Sequence, residues 1–225
     1  MTSIGASPRV AVLAGASGLV GGHCLPLLLQ SARYHQVIAL VRRPLDLQHP
    51  KLRQIVADFE RLPSSPEFTG ADVFCTIGTT MRQASSREAF RKVDFDAELA
   101  YATTVSQAGA HQFILVSSVG ANAHSPTFYL QIKGELEEAV KALPFRSIHI
   151  FRPSFLAGDR ASDRTAERLG TAVAKALDFA FIGHFRKYSP VEADDLAAAM
   201  LAVARKEDPG VHLYEYEQIL SLAKS

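Results

Sequence analysis

The chain has 225 residues, 48% of them hydrophobic, and a formal net charge of +1. This length and apolar content suit one globular domain with a sizeable core. The nearly balanced charge, with basic residues scattered along the chain, argues against a nucleic acid or an anionic membrane as a partner.

The sequence has no feature of a secreted or membrane-spanning protein. Residues 1–8 are short and polar, unlike a secretory signal peptide, and no run approaches the roughly 18 apolar residues of a membrane span. Cys24 and Cys75 fall in a helical segment and an apolar run, so we expect buried thiols without a redox role. We therefore expect a soluble, cytoplasmic protein in a reducing compartment.

Apolar, β-branched runs alternate with helical stretches through most of the chain. The predicted strands are Val10–Leu13, Gln36–Val41, Leu52–Ala57, Ala71–Ile77, Phe113–Ser117 and Ser147–Phe151, and the predicted helices between them are Leu19–Ala32, Glu88–Ala108 and Tyr129–Ala142. Continuous apolar strands separated by helices are typical of a parallel sheet covered on both faces. With right-handed crossovers, this order predicts an α/β fold with a Rossmann-type doubly wound parallel sheet.

The pattern changes after Phe151, where Arg152-Pro153-Ser154 ends the last of these strands. The remaining predicted elements are helices over Ala161–Ala180, Glu192–Arg205 and Glu217–Ala223, and a strand over Val211–Tyr214. This tail is too short for a domain of its own, so we interpret residues 1–225 as a single domain. About residues 155–190 and 206–225 are expected to form a small lid or substrate element at the carboxyl ends of the strands.

A glycine-rich turn, Ala14-Gly15-Ala16-Ser17-Gly18-Leu19-Val20-Gly21, joins the first predicted strand to the first helix. At such a turn the unpaired N–H groups and the positive end of the helix dipole favour a phosphate. Glycine is required where a side chain would block the pyrophosphate or the turn itself. Turn geometry alone is the alternative reason for glycine, but at the first strand of an alternating pattern we interpret the turn as a dinucleotide site. Its spacing is Gly-x-x-Gly-x-x-Gly rather than the commoner Gly-x-Gly-x-x-Gly.

The second predicted strand ends in Arg42-Arg43. NAD-binding proteins carry an acidic residue near this point that binds the ribose 2′-hydroxyl, whereas here Asp46 comes only after Pro44. Two guanidinium groups suit a 2′-phosphate, which they bind through charge-assisted bidentate hydrogen bonds. A solvated basic turn is the alternative, but beside the glycine turn the pair favours NADP(H) over NAD(H).

A second polar group follows the fifth predicted strand, with Ser117-Ser118 at its end and Tyr129 and Lys133 in the next helix. Tyr-x-x-x-Lys places both side chains on one face of a helix, one turn apart. The ammonium favours the phenolate and lowers the pKa of the tyrosine, whose hydroxyl then exchanges a proton with a substrate oxygen. Ser118 would bind the same oxygen, with Ser117 as the alternative if the register shifts by one. Because the motif is short enough to occur by chance, a solvated Tyr–Lys pair is the competing interpretation.

Together, the glycine spacing, the Ser-Ser strand end, Tyr129 with Lys133, and Phe151-Arg152-Pro153 resemble the short-chain dehydrogenase/reductase superfamily. Within it the chain is most similar to the small, atypical group of Tat-interacting oxidoreductase-like, NAD(P)H-binding proteins. Supporting segments are Val56-Ala57-Asp58-Phe59-Glu60, Gly78-Thr79-Thr80 and Tyr129-Leu130-Gln131-Ile132-Lys133-Gly134-Glu135. The similarity covers about residues 8–205, and the combination is far more specific than any single segment.

The resemblance implies a role for each matching position. The cofactor would be bound by Gly15, Ser17, Gly18, Leu19, Val20 and Gly21 at the pyrophosphate, Arg42 and Arg43 at the 2′-phosphate, Asp58 and Phe59 at the adenine, Ile77, Gly78 and Thr79 at the ribose–nicotinamide side, and Pro153 on the nicotinamide. Tyr129 would be the acid/base and also contact the cofactor. Lys133 would be its tuner and a ribose ligand, and Ser118 the donor to the carbonyl oxygen. Many members carry an asparagine that completes a proton relay, but the stretch Lys92-Val93-Asp94-Phe95 offers only Asp94.

Two functional hypotheses follow from these residues and the resemblance. The first is an NADP(H)-dependent oxidoreductase that transfers a hydride to or from a small-molecule carbonyl or alcohol, with Tyr129 as the acid/base. The alternative is an NADPH-binding, redox-sensing or regulatory protein that acts through a protein partner. The resemblance also allows a homodimer formed through the helices predicted at Glu88–Ala108 and Tyr129–Ala142. The eight histidines lack ligand spacing, so no metal site is expected.

Overall fold

The computed structural model describes residues 9–157 and 189–225. Its strands are β1 Arg9–Ala14, β2 Tyr34–Val41, β3 Leu52–Val56, β4 Asp72–Cys75, β5 Gln112–Val116, β6 Ser147–Phe151, β7 Leu156–Ala157, β8 Val191–Glu192 and β9 Gly210–Tyr214. Seven of them form one sheet in the order β3-β2-β1-β4-β5-β6-β9, and β7 pairs with β8. Every neighbouring pair of the large sheet is parallel. The predicted Rossmann-type doubly wound sheet is therefore confirmed.

Helices cover both faces of this sheet. They are α1 Leu19–Gln30, α2 Met81–Ala84, α3 Arg87–Arg91, α4 Glu98–Gln107, α5 Phe128–Lys141, α6 Ala193–Lys206 and α7 Tyr216–Ala223, with 3-10 turns at Phe59–Arg61 and Pro66–Phe68. Helices α1, α6 and α7 pack on one face, and α4 and α5 pack on the other. Over the two described ranges, no helix combines the length and the apolar character needed to cross a bilayer.

The predicted helix Glu88–Ala108 is not one continuous α-helix. A π-helical turn over Lys92–Ala97 separates α3 from α4. Such turns are rare and often occur at functional sites, because the extra residue per turn changes where side chains point. This turn carries Asp94, which is buried.

Strand β1 explains why the apolar runs of the sequence lack alternation. Ala11 and Leu13 pack in the core under α1 and α6, whereas Val12 and Ala14 pack in the core under α4 and α5. Successive side chains of a strand point to opposite faces, so a strand covered on both faces is apolar at every position.

The C-terminal residues complete the main sheet, which corrects the expectation of a lid over residues 206–225. Strand β9 pairs with β6 in parallel register, from Ser147 with Gly210 to Phe151 with Tyr214. Ile219 of α7 is fully buried in the core beneath α1 and α6. The apolar residues of this segment are buried against the edge of the main sheet and not in a substrate pocket. The predicted helix Ala161–Ala180 and most of the expected lid over 155–190 lie outside the described residues.

A buried ion network joins the amino ends of the strands. Asp72 at the start of β4 is fully buried. Its carboxylate accepts hydrogen bonds from four side chains, those of Arg9, Arg33, Tyr34 and Gln112. Arg33 forms the shortest contact, 2.7 Å from Nε to Asp72 Oδ2, and its Nη2 lies 2.6 Å from Glu207, which follows α6. The network thus joins the first strands to the end of α6.

Aromatic side chains stack between β6 and β9 on the face covered by α6. The rings of His149 and His212 lie 5.1 Å apart, and His149 Nδ1 lies 2.9 Å from the hydroxyl oxygen of Tyr214. His149 is fully buried, and its Nε2 has no hydrogen-bond partner among the described residues. Burial, with a smaller contribution from His212, lowers the pKa of His149 from 6.5 to about 4.

This buried histidine predicts a loss of stability in mild acid. Because the folded-state pKa lies below the unfolded value, the unfolded chain binds more protons between pH 6.5 and 4, and stability falls as the pH is lowered through that range. We expect His149 to account for about 2–3 kcal/mol of that loss. His149→Phe, which keeps a stacking ring, should flatten this part of the curve in urea unfolding followed by circular dichroism. An unchanged slope in the variant would contradict the assignment.

Candidate active site

The glycine-rich turn brings β1, α1 and the end of β4 into direct backbone contact. Gly15 has a φ of +90°, and a Cβ there would lie 2.5 Å from the Thr76 carbonyl oxygen. A Cβ on Gly21 would overlap the Gly15 carbonyl oxygen. The Gly18 N–H donates to that same carbonyl at 2.8 Å. Two of the three motif glycines are therefore required by close packing of the turn.

Helix α1 begins at this turn, and no capping or acidic side chain in its first turn offsets the positive end of its dipole. Gly18 is the N-cap residue, and no side chain caps the first N–H groups. The first turn contains no acidic residue. Unpaired N–H groups and an unopposed helix dipole favour an anion at this position.

A cleft of about 670 Å³ opens above the turn, at the carboxyl ends of β1, β2 and β4. It lies where β2 and β4 flank β1 on opposite sides, which is the point in doubly wound sheets at which nucleotides bind. Its volume is in the range of small-molecule and cofactor sites. The lining residues are Gly15, Ala16, Ser17, Gly18, Leu19, Gly22, His23, Leu40, Val41, Arg42, Ala57, Asp58, Phe59, Thr76, Ile77, Gly78, Gln83, Lys92, Val93 and Ala97.

The cleft includes some of the predicted cofactor ligands and leaves out others. The predicted residues that do not line it are Val20, Gly21, Arg43, Thr79, Tyr129, Lys133 and Pro153. Val20 and Gly21 are buried under the turn, whereas Arg43 is exposed beside the cleft. Arg42 alone of the arginine pair therefore faces the cleft. His23, on the second turn of α1, is a lining residue that the glycine motif did not indicate.

The loop after β5 packs directly on α5. A Cβ on Gly134 would overlap the backbone of Asn122 and Ala123. The Asn122 N–H donates to the Leu130 carbonyl at 3.0 Å. The loop that carries Ser118 is thereby held against the first turns of the helix that carries Tyr129 and Lys133.

The two serines at the end of β5 have different surroundings. The Ser117 hydroxyl donates to Glu137 Oε1 at 2.7 Å. Arg152 binds the same carboxylate with Nε at 2.9 Å and Nη2 at 2.6 Å. Within residues 9–157 and 189–225, the Ser118 hydroxyl makes one hydrogen-bond contact, a long one of 3.4 Å to the carbonyl of Val119. Ser117 therefore belongs to a buried network that joins α5 to the end of β6, whereas Ser118 remains able to bind another group.

Lys133 lies between two buried carboxylates. Its Nζ is 2.8 Å from Asp94 Oδ1 and 2.8 Å from Glu98 Oε1, and its side chain is only 4% exposed. Burial alone would lower the pKa of Lys133, but the Glu98 and Asp94 carboxylates raise it above its usual value. The Lys133 ammonium is therefore charged at any physiological pH.

Asp94 also connects this cluster to the cleft. Its Oδ2 accepts a hydrogen bond of 2.9 Å from the Thr79 N–H. Thr79 directly follows Ile77 and Gly78 in the cleft wall. The sequence identified Asp94 only as a departure from an asparagine relay, and it did not single out Glu98. The spacing of four residues between the two acids, which places them on one side of a helix, was the available signal.

Comparison with known proteins adds three findings. The sequence profile of a family described as NAD(P)H-binding matches residues 15–207. The mitochondrial protein FMP52-1 of Scheffersomyces stipitis is 32% identical over 95% of this chain and 98% of its own length. The rat protein HTATIP2 is 39% identical over 69% of this chain and 66% of its own.

Solved structures share the fold at low sequence identity. MoeE5, in complex with UDP-glucose and NAD, superposes with a TM-score of 0.68 and 17% identity over 95% of this chain and 80% of its own. The human epimerase family protein SDR39U1 with NADPH gives a TM-score of 0.58 and 14% identity, over 92% of this chain and 74% of its own. The chain thus shares its overall fold with these nucleotide-bound proteins.

The expectation of a cytoplasmic location is wrong. The FMP52 relatives of Scheffersomyces stipitis, Eremothecium gossypii and Debaryomyces hansenii are all named as mitochondrial proteins. The expectation rested on the lack of a secretory signal and of a membrane span, and these features do not distinguish between compartments inside the cell.

Proposed function

Because this chain belongs to the NAD(P)H-binding family, we propose that it is an NADP(H)-dependent oxidoreductase acting on a carbonyl or alcohol. One observation carries the proposal: Asp94 contacts Lys133 with one oxygen and the Thr79 N–H with the other. The cleft wall and the helix of the Tyr-x-x-x-Lys motif are therefore directly connected. A nucleotide in the cleft would have its reactive end close to the proposed proton donor.

The residues around the cleft fit a dinucleotide. The glycine turn and the uncapped start of α1 would hold the pyrophosphate, with Ser17 and Leu19 beside it. Asp58 and Phe59 would flank the adenine, and Arg42 would bind a 2′-phosphate. When bound, the nicotinamide supplies or accepts the hydride.

The chain's own residues would hold and move the proton. In reduction, the Tyr129 hydroxyl donates its proton to the substrate oxygen, and in oxidation the phenolate takes it back. Lys133, one helical turn away, stabilises the phenolate electrostatically. Ser118 donates a hydrogen bond to the same oxygen, a role for which Ser117 is less suited because its hydroxyl is bound to Glu137.

The preference for NADP(H) is tested by comparing the two arginines. Arg42→Ala should weaken NADPH binding about 10- to 100-fold, since charge-assisted hydrogen bonds to a phosphate contribute about 1.5–3 kcal/mol. NADH affinity should change by less than about threefold, because NADH lacks the 2′-phosphate. Arg43→Ala is the matched control, as Arg43 does not line the cleft. Fluorescence titration of each nucleotide provides the measurement, in a chain with no tryptophan to contribute emission.

Three results would count against this function. If Arg42→Ala lowered the affinities for NADH and NADPH equally, Arg42 would not be the residue that binds the 2′-phosphate. A larger effect of Arg43→Ala would assign the phosphate to the other arginine. Failure of the unmodified chain to bind either nucleotide would overturn the proposal as a whole.

The names of the FMP52 relatives support a mitochondrial location for this chain as well. Protease protection of the tagged protein in isolated mitochondria distinguishes an internal from an external position.

A further inference from the structure

The carboxylates around Lys133 come from two successive helical segments. Asp94 lies in the π-helical turn, and Glu98 begins α4. The two side chains are at most 1% exposed, so water does not screen their charges. This is a closed ionic cluster next to the proposed acid/base and not a surface salt bridge.

The charges of this cluster do not balance when both acids are ionised. Lys133 supplies one positive charge, and Asp94 and Glu98 together supply two negative ones. In the part of the chain that the structure describes, the other titratable group in contact with Glu98 is Cys75 of β4, whose Sγ lies 3.6 Å from Glu98 Oε2. Burial raises the pKa of this thiol well above its usual value, so Cys75 adds no charge near neutral pH. Whether Glu98 holds a proton therefore decides whether the cluster is neutral or carries one negative charge.

Glu98 is able to change its charge in the physiological range. Burial raises the pKa of Glu98 from 4.5 to about 7, although Lys133 opposes this increase. Lys133 interacts electrostatically with Tyr129 in turn. A change of charge on Glu98 is thus transmitted to Tyr129 through a single side chain.

We propose that Asp94 and Glu98 are positioning residues for Lys133, and that the charge of Glu98 sets how readily Tyr129 releases its proton. The proposal rests on the role of Tyr129 in the proposed function. With Glu98 ionised, the Lys133 charge is more than neutralised, and the phenolate is disfavoured. With Glu98 protonated, the net charge of the cluster rises by one unit, and the phenolate is favoured.

The two acids have separable tasks. Asp94 also binds the Thr79 N–H, so it connects Lys133 to the cleft wall. The polar contacts of Glu98 among the described residues are with Lys133 through Oε1 and with Cys75 through Oε2. Glu98 therefore adjusts the net charge of the cluster around Lys133, whereas Asp94 also holds the cleft wall in place.

The test is a pH titration of Tyr129 itself, followed by NMR of the full chain carrying tyrosine labelled with ¹³C at Cζ. Tyr129→Phe assigns the resonance. Glu98→Gln should lower the midpoint of Tyr129 by about one pH unit, a tenfold gain in phenolate at a given pH. Lys133→Met should raise the midpoint. Glu98→Asp keeps the charge, so its Tyr129 midpoint should lie closer to that of the unmodified protein than the midpoint of Glu98→Gln does.

A matched control comes from an acid of α5, the helix that carries Lys133 itself. Glu135 forms an ion pair with Arg91 at 2.7 Å and lies two residues from Lys133, but it is partly exposed. Glu135→Gln should leave the Tyr129 midpoint unchanged. An unchanged midpoint in Glu98→Gln, or an equal shift in both variants, would overturn the proposal.

A second variant covers the case in which Glu98→Gln does not fold. Asp94→Asn removes the same charge and also weakens the hold on Thr79, so it should lower the Tyr129 midpoint and reduce NADPH affinity together. A fall in affinity without a shift of the midpoint would contradict the proposal. Because the titration needs no substrate, a chain that lacks turnover still reports on Glu98, and the two proposals fail separately.

Discussion

Replacing Tyr129 with phenylalanine is expected to lower NADPH-dependent carbonyl reduction by a factor of about 10²–10⁴, the usual contribution of a positioned proton donor. The phenylalanine ring keeps the packing against Phe90, whose centroid lies 5.4 Å away. Only the hydroxyl is lost. NADPH affinity should change by less than about threefold, because Tyr129 does not line the cleft.

The measurement is consumption of NADPH with a panel of aldehydes and ketones, alongside a binding titration of NADPH. Tyr216→Phe is the matched control, since it removes a tyrosine hydroxyl from α7, on the face of the sheet opposite α5. Ser118→Ala should reduce turnover to a lesser extent than Tyr129→Phe. Full activity in Tyr129→Phe would exclude the proton-transfer role. Tight NADPH binding by a chain that turns over no substrate would favour the regulatory alternative.

Replacing Asp72 with asparagine is expected to reduce the free energy of unfolding by about 3–5 kcal/mol, as found when one partner of a buried ion pair is removed. Asp72 is fully buried and accepts from both Arg9 and Arg33. Asparagine has nearly the same volume but no charge, and its amide group would face donors. Since domains are stable by about 5–15 kcal/mol, this loss is a large fraction of the total.

Urea unfolding followed by circular dichroism measures the effect. Glu207→Gln is the control, because Glu207 binds the same two arginines but is 31% exposed. A partly exposed ion pair contributes at most about 1 kcal/mol, so the control should shift the midpoint much less. If Asp72→Asn and Glu207→Gln lowered the free energy of unfolding equally, burial of Asp72 would add nothing to the stability of the network.

The sheet was predictable where both faces of a strand are buried. The run Ser147–Phe151 was predicted with the observed bounds, because every residue in it is buried. The edge was harder to interpret. In β9, Val211 and Leu213 are exposed while His212 and Tyr214 stack inward, so the hydrophobic pattern does not mark the covered face. Pairing with β6, which only the tertiary fold provides, decides the position of this strand.

The candidate site was predictable in its motifs and less so in its electrostatics. Local spacing is sufficient to place Tyr129 and Lys133 on one helix face. The helical pattern from Glu88 to Ala108 contains no sign of a π-helical turn, since the turn is stabilised by contacts with Lys133 and Thr79 from distant segments. For the same reason, burial of Glu98 against Lys133 could not be read from its neighbours in the chain.

The Asp72 network also constrains the order in which the newly synthesised chain is able to fold. Arg9 and Glu207 are separated by 198 positions, so their contact forms only after residue 207 has left the ribosome. Strand β9 is made after Glu207, and until it pairs, β6 is the edge of a parallel sheet with an unpaired backbone. Such long-range parallel pairing is slow to form and exposes intermediates to aggregation. A chain truncated before residue 210 would therefore keep β6 as an open sheet edge and should aggregate more readily than the full chain.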